Sequence, residues 1–128
     1  MFEHLNQGAG SIPTLFFAFA IFHALADFAL QNTFIARSKI PGADLSDFFG
    51  SGRGPRGLWV HSLTAHSLLH GGGVWIVSGS AALGLTEFIL HWLIDFIKGR
   101  DLISFHLDQI LHLSCKLGYA AIIAFAII

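Results

Sequence analysis

The sequence predicts an all-α protein, an integral membrane four-helix bundle. Three observations predict it. Charged residues make up 12% of the 128 and hydrophobic residues 54%, with a mean hydropathy of +0.67; a soluble domain carries about a quarter charged residues. Four apolar stretches approach the roughly 20 residues that cross a bilayer. Within them ionisable residues recur at helical spacing, and no stretch keeps the period of two that marks a strand.

The whole chain, 1–128, is one membrane domain. The first span covers about 12–31, with Pro13 near its first turn, where proline is tolerated. The opening "MFEHLNQGAGSIP" has no basic region, and His23 and Asp27 interrupt the first apolar run. An uncleaved helix therefore fits better than a signal peptide. Residues of about 32–57, rich in Gly, Pro, Ser and charge, form a loop, with Phe48 and Phe49 placed at the lipid interface. The second span, about 58–77, turns through "SGSA" into the third, about 81–97, as a tight antiparallel hairpin. "KGRDL" then leads into the fourth span, about 103–125.

Basic residues set the orientation. Arg37, Lys39, Arg53 and Arg56 lie in the first loop, and Lys98 and Arg100 follow the third span. These loops share one side of a four-span protein, so that side is expected to be cytoplasmic and both termini outside. The expected location is the bacterial inner membrane. Seven Lys/Arg against eight Asp/Glu leave no basic footprint for nucleic acid. The single cysteine, Cys115, excludes an intrachain disulfide. The expected partners are the lipid bilayer and either further copies of the chain or a larger membrane complex; Ala20, Ala24, Gly118 and Ala121 offer small-residue surfaces for a partner helix.

The polar residues inside the spans carry the functional argument. Residues four apart share a helix face. Glu87, His91 and Asp95 make one stripe on the third span, with Lys98 returning to it; His23, Asp27 and Gln31 make another on the first. The second span has His66 and His70, and the fourth Asp108, His112 and Lys116. Counted from the cytoplasmic boundary, His23, His66 and His112 lie roughly 12 to 14 Å deep, at one level. An acid at a span's centre costs about 2.5–3.5 kcal/mol, while each Leu, Ile or Phe returns about 0.3–0.6. The third span alone should insert poorly, so these groups are expected to face inward and to serve a function.

Imidazoles and carboxylates are the usual ligands of zinc, and suit iron or manganese. The expected centre is a divalent metal, zinc favoured, held by His23, His66 and His112 with His70 or His91 as a fourth ligand. Glu87 or Asp108 would be the general base. Asp27, Gln31, Asp95, Lys98 and Gln109 would orient the ligands or neighbour them. Each stripe also has a bland reading. The groups can simply bond one another and hold helices in register, although such bonds average only about 0.6 kcal/mol in membranes. Lys116 is expected as the counter-ion of Glu87, Cys115 as a packing residue, and His61 as an interfacial group.

The segments "HALADFALQ" followed by "RSK", then "AHSLLHGGGV", "HWLIDFIKGR" and "LDQILHLSCK", resemble a bacterial and phage membrane family, domain-of-unknown-function number thirty-three-oh-seven. The resemblance spans nearly the whole chain. It implies a small multi-helix membrane protein. It marks His23, Asp27, Gln31, His66, His70, His91, Asp95, Lys98, Asp108, Gln109 and His112 as motif positions, and implies no particular activity, substrate or cofactor. A looser likeness joins the chain to membrane-bound metal-dependent hydrolases, from which no residue role is carried over. The leading functional expectation is a metal site supporting hydrolysis of a membrane-embedded substrate. The alternatives are a proton, ion or small-solute transport module and a non-catalytic accessory subunit of a membrane complex.

Overall fold

The computed structural model describes residues 11–50 and 54–125. The fold is all-α, with no strand among the described residues. Helix α1 (Ile12–Ala24) runs directly into a π turn, Leu25–Ala29. Two short helices follow, α2 (Thr33–Ser38) and α3 (Ser46–Phe49), and then three long ones: α4 (Leu58–Ser78), α5 (Ala81–Gly99) and α6 (Phe105–Ala124). α1 packs on α4 and α6, and α5 packs on the same two. The long helices thus form a closed ring whose inward faces meet.

Local chemistry sets the helix ends. Ser80 accepts a hydrogen bond from the Leu83 amide at 3.2 Å, and Ser104 one from the Leu107 amide at 3.1 Å, so both serines cap free N–H groups. Gly79 closes α4 in the left-handed region, at φ 71°, and makes the hairpin turn expected of "SGSA". The expected loop of about 32–57 is in part helical, which corrects the sequence reading. Asn32 caps α2 by accepting from the Ile35 amide at 2.9 Å. Phe34 then packs on Phe48 and Phe49, with ring centroids 5.2 and 6.2 Å away. The two phenylalanines are therefore tied to α2 as well as partly exposed. The Asp44 carboxylate accepts from the Ser46 amide at 2.9 Å ahead of α3, and that bond holds its carboxyl below the ordinary aspartate value. Arg37 locks the segment by donating to Asp47 Oδ2 and to the Asp44 carbonyl, both at 2.5 Å. The first ten residues, Arg53 and the last three residues lie outside the described residues, and with them the reading of the leader and of the side on which each end lies.

The α4–α5 contact is the most extensive in the bundle. It depends on two glycines. A Cβ on Gly71 would lie 2.7 Å from the Gly84 carbonyl oxygen, and one on Gly84 would lie 2.8 Å from the Gly71 carbonyl oxygen. Backbone faces backbone here, and no flexible side chain can yield. The same close packing sets His70, next to Gly71, and His91, two turns beyond Gly84, in one interior with their ring centroids 3.6 Å apart.

That interior has two parts. At one end Leu15, Phe19, Val74, Leu83, Tyr119 and Ala120 form an apolar plug. Towards the end that carries α2 and the α5–α6 turn, the core is polar: His23, His66, His70, Glu87, His91, Asp95, Asp108, His112 and Lys116 are all buried. Among the described residues one helical stretch, Ile12–Ala29, is long and apolar enough to cross a membrane by length and composition. Four such spans were expected. α4, α5 and α6, which carry buried polar residues, do not meet the same measure of length and hydropathy.

Candidate functional site

Four carboxylates organise the polar chamber. Asp27 sits in the π turn, where an extra residue per turn shifts the side chain around the helix. π turns inside α-helices often occur at functional sites. Its Oδ1 lies 3.0 Å from His70 Nε2 and 3.3 Å from His66 Nε2, both on α4. Its Oδ2 accepts from Gln109 Nε2 at 3.0 Å and lies 3.3 Å from His23 Nε2. Asp95, on α5, has His112 Nε2 at 3.0 Å on Oδ1. Its Oδ2 accepts from Lys39 Nζ at 2.5 Å, and lies 3.5 Å from His66 Nε2 and 3.6 Å from His91 Nε2. Asp108 places Oδ1 3.3 Å from His112 Nε2, while its Oδ2 accepts from Gln109 at 3.2 Å and has Lys98 Nζ 3.6 Å away.

Glu87 stands apart. Lys116 donates to Oε1, Tyr119 donates to Oε2 at 2.9 Å, and His91 Nδ1 lies 3.2 Å from Oε1. A carboxylate with three such neighbours is a poor general base, which corrects that expectation for Glu87. Its contact instead fixes the His91 ring so that Nε2 points at Asp95. Carboxylates hold metal-binding histidines in this way.

The imidazoles are layered. His91 stacks on His70 with centroids 3.6 Å apart at 19°, and on His112 with centroids 4.1 Å apart at 23°. Several buried polar atoms have no hydrogen-bond partner among the described residues: both nitrogens of His66, His91 Nε2, His23 Nδ1 and Asp108 Oδ1. The contacts of His66 Nε2, His91 Nε2 and Asp108 Oδ1 with their neighbours, at 3.3–3.6 Å, are close enough for ion pairing but do not have hydrogen-bond geometry. Leaving a buried polar atom unpaired costs about 1–3 kcal/mol, and these atoms are concentrated in one chamber.

Three groups of donors converge closely enough to hold a metal ion: Asp27, His66, His70 and His91; Glu87, His91 and His112; Asp95, Asp108 and His112, the donor atoms of each lying within 4.8 Å of one another. The expected trio of His23, His66 and His112 is not among them. All three histidines do point inward. His23, however, is engaged with Gln109 Oε1 at 3.1 Å and with Asp27, so it orients other groups. Asp27, expected to orient a histidine, joins a donor group, and Asp95 reaches both neighbouring clusters. Gln31 donates to the Asp27 backbone carbonyl at 3.1 Å, and its Oε1 is buried without a hydrogen-bond partner among the described residues. Lys98 reaches Asp108 from the rim.

Two participants were not singled out for these roles in the sequence. Lys39 was assigned to charge asymmetry, yet it binds Asp95. Tyr119 lies three residues beyond Lys116 and so on the same face, which was the available signal. Beside the chamber lies a cavity of about 520 Å³, lined in part by Gln31, Lys39, Asp95, Lys98, Ser104 and Phe105. Asp95 therefore borders both the cavity and the histidine cluster.

The family described as "Protein of unknown function (DUF3307)" matches residues 15–127. The chain belongs to this family. The match covers every residue of the chamber, from His23 to Tyr119, as well as the rim lysines. No curated protein and no solved structure matched the chain.

Proposed function

We propose that this DUF3307 protein is a four-span membrane bundle with a divalent metal centre between its spans, and that it hydrolyses an amphiphilic substrate reached from the Lys39–Lys98 end. The observation that carries the reading is the set Asp27, His66, His70 and His91. Three imidazoles and a carboxylate meet in a buried place where the Nε2 atoms of His66 and His91 have no hydrogen-bond partner among the described residues. That donor set suits zinc, with iron or manganese as alternatives.

The membrane part rests on an inverted distribution of polarity. Phe17, Trp75, Leu85 and Ile110, one from each long helix, are 67, 56, 58 and 59% exposed, while Glu87, His91, Asp108 and Lys116 are at most 1% exposed. A water-soluble bundle has the reverse arrangement. Ile12–Ala29, with a mean hydropathy of 1.7, adds to this. The excess of basic residues at the α2 and α5–α6 end makes that end cytoplasmic, in the inner membrane of a bacterium.

A divalent ion held by Asp27, His66, His70 and His91 would supply Lewis acidity and activate water for attack near neutral pH. The chain's own groups do the rest. Glu87 fixes His91, Gln109 joins His23 to Asp27, and the rim cavity brings a substrate headgroup to Asp95. Lys39 and Lys98 favour an anionic headgroup there. A proton-relay reading has one observation in its favour, the line of contacts from Lys98 through Asp108, His112, Asp95, His91 and Glu87 to Lys116. That line ends against the plug of Leu15, Phe19, Val74 and Leu83, which favours a closed site over a conducting path.

Metal content of the detergent-purified protein tests the proposal. Elemental mass spectrometry should find at least one zinc, iron or manganese per chain, lost from a His66→Ala/His70→Ala variant that still folds. Absence of metal from the wild type, before and after reloading, removes the hydrolase reading. Uptake or conductance in liposomes abolished by Glu87→Gln would then establish the relay.

A further inference from the structure

We propose that the chamber binds two divalent ions, with the Asp95 carboxylate bridging them. This deepens the metal-centre reading above and rests on it. The first ion takes Asp27, His66, His70 and His91; the second takes Asp108 and His112. The donors of the first set lie within 4.8 Å of one another, as do those of Asp95, Asp108 and His112, and the two sets share no residue. Asp95 turns one oxygen to each: Oδ1 is 3.0 Å from His112 Nε2, and Oδ2 is 3.5 and 3.6 Å from His66 and His91 Nε2. A carboxylate presented in this way spans the roughly 3.5–4 Å that separates the ions of two-metal sites.

The second observation is independent of the first. Unpartnered buried atoms lie on both sides of Asp95. His66 Nε2 and His91 Nε2 are on one side, and Asp108 Oδ1, in a residue that is 0% exposed, is on the other. An ion in the first group leaves Asp108 Oδ1 unsatisfied. An ion between Asp95, Asp108 and His112 completes it.

Charge agrees. Lys116 neutralises Glu87 deep in the bundle. The three remaining carboxylates and one hydroxide balance two divalent ions. Lys39 and Lys98, the other two nearby cations, approach from the rim with side chains 11% and 33% exposed. Lys39 reaches the Asp95 oxygen on a flexible stem beside the cavity, so an ion there would be able to displace it.

The test uses the full chain in detergent, stripped of metal and reloaded with manganese(II). Manganese per chain is counted by elemental mass spectrometry, and coupling is read by electron paramagnetic resonance. The expected result is about two ions per chain with an exchange-coupled spectrum, as for ions about 3.5–4 Å apart. Asp108→Asn should halve the count and leave the six-line spectrum of isolated manganese. One uncoupled ion per chain in the wild type overturns this proposal and leaves the single-ion reading intact. Two uncoupled ions overturn the Asp95 bridge. An unchanged count in Asp108→Asn overturns the second ligand set, and no ion in the wild type overturns both readings. Should Asp108→Asn fail to fold, the wild-type count and spectrum still decide.

Discussion

Lys116→Met is expected to destabilise the folded protein by about 3–5 kcal/mol, the cost of leaving one partner of a buried ion pair uncompensated. Glu87 and Lys116 are both 1% exposed, and each comes from a different helix, α5 and α6. Tyr119 and His91 would remain as hydrogen-bond partners of Glu87, but neither supplies a permanent positive charge. The double variant Glu87→Gln/Lys116→Met removes both charges, and most of the lost stability should return. Unfolding in detergent micelles, followed by helicity, measures the three variants against the wild type. A neutral Lys116→Met would show that the pair is not charged in the folded protein. The double variant carries a second consequence. With the Glu87 carboxylate replaced by a neutral amide, the contact that fixes the His91 ring is weakened, and metal affinity should fall by about 10–100-fold.

Asp27→Asn separates the fold from the site. Asparagine keeps the size of the side chain and one carbonyl oxygen, so Gln109 can still donate to it and α1 can stay docked on α4 and α6. The anionic ligand of the first donor group is gone. Metal retention against a competing chelator should fall by at least about 100-fold, the upper end of what loss of a mere supporting group costs, while the unfolding midpoint moves little. Asp27→Ala should lose both, because its carboxylate joins three helices through His23, His66, His70 and Gln109. Equal metal affinity in Asp27→Asn and wild type would take Asp27 out of the ligand set.

The all-helical fold and the family were legible in the sequence because both rest on patterns along the chain. The four-residue stripes of Glu87, His91 and Asp95 and of Asp108, His112 and Lys116 need only helical geometry to be placed on one face. Counting residues from the membrane boundary gives depth but not direction around the helix. His23, His66 and His112 therefore looked like one ligand set, whereas His66 turns towards Asp27 and Asp95, and His112 towards Asp95 and Asp108. The π turn at Leu25–Ala29 has no sequence signature, and it is this turn that carries Asp27. The saturation of Glu87 depends on Lys116 and Tyr119 from another helix, which is long-range information. Lys39 was hidden for a different reason: a loop lysine satisfies charge asymmetry without any contact, so nothing along the chain pointed it at Asp95.

The most direct test of the central claim is X-ray absorption at the edge of the metal bound to the purified wild-type protein. The account predicts a shell of nitrogen and oxygen ligands at about 2.0–2.1 Å, with the outer scattering of at least two imidazole rings and no sulfur. A shell of oxygen alone, without imidazole scattering, would contradict it, because the ion would then lie outside the histidine chamber.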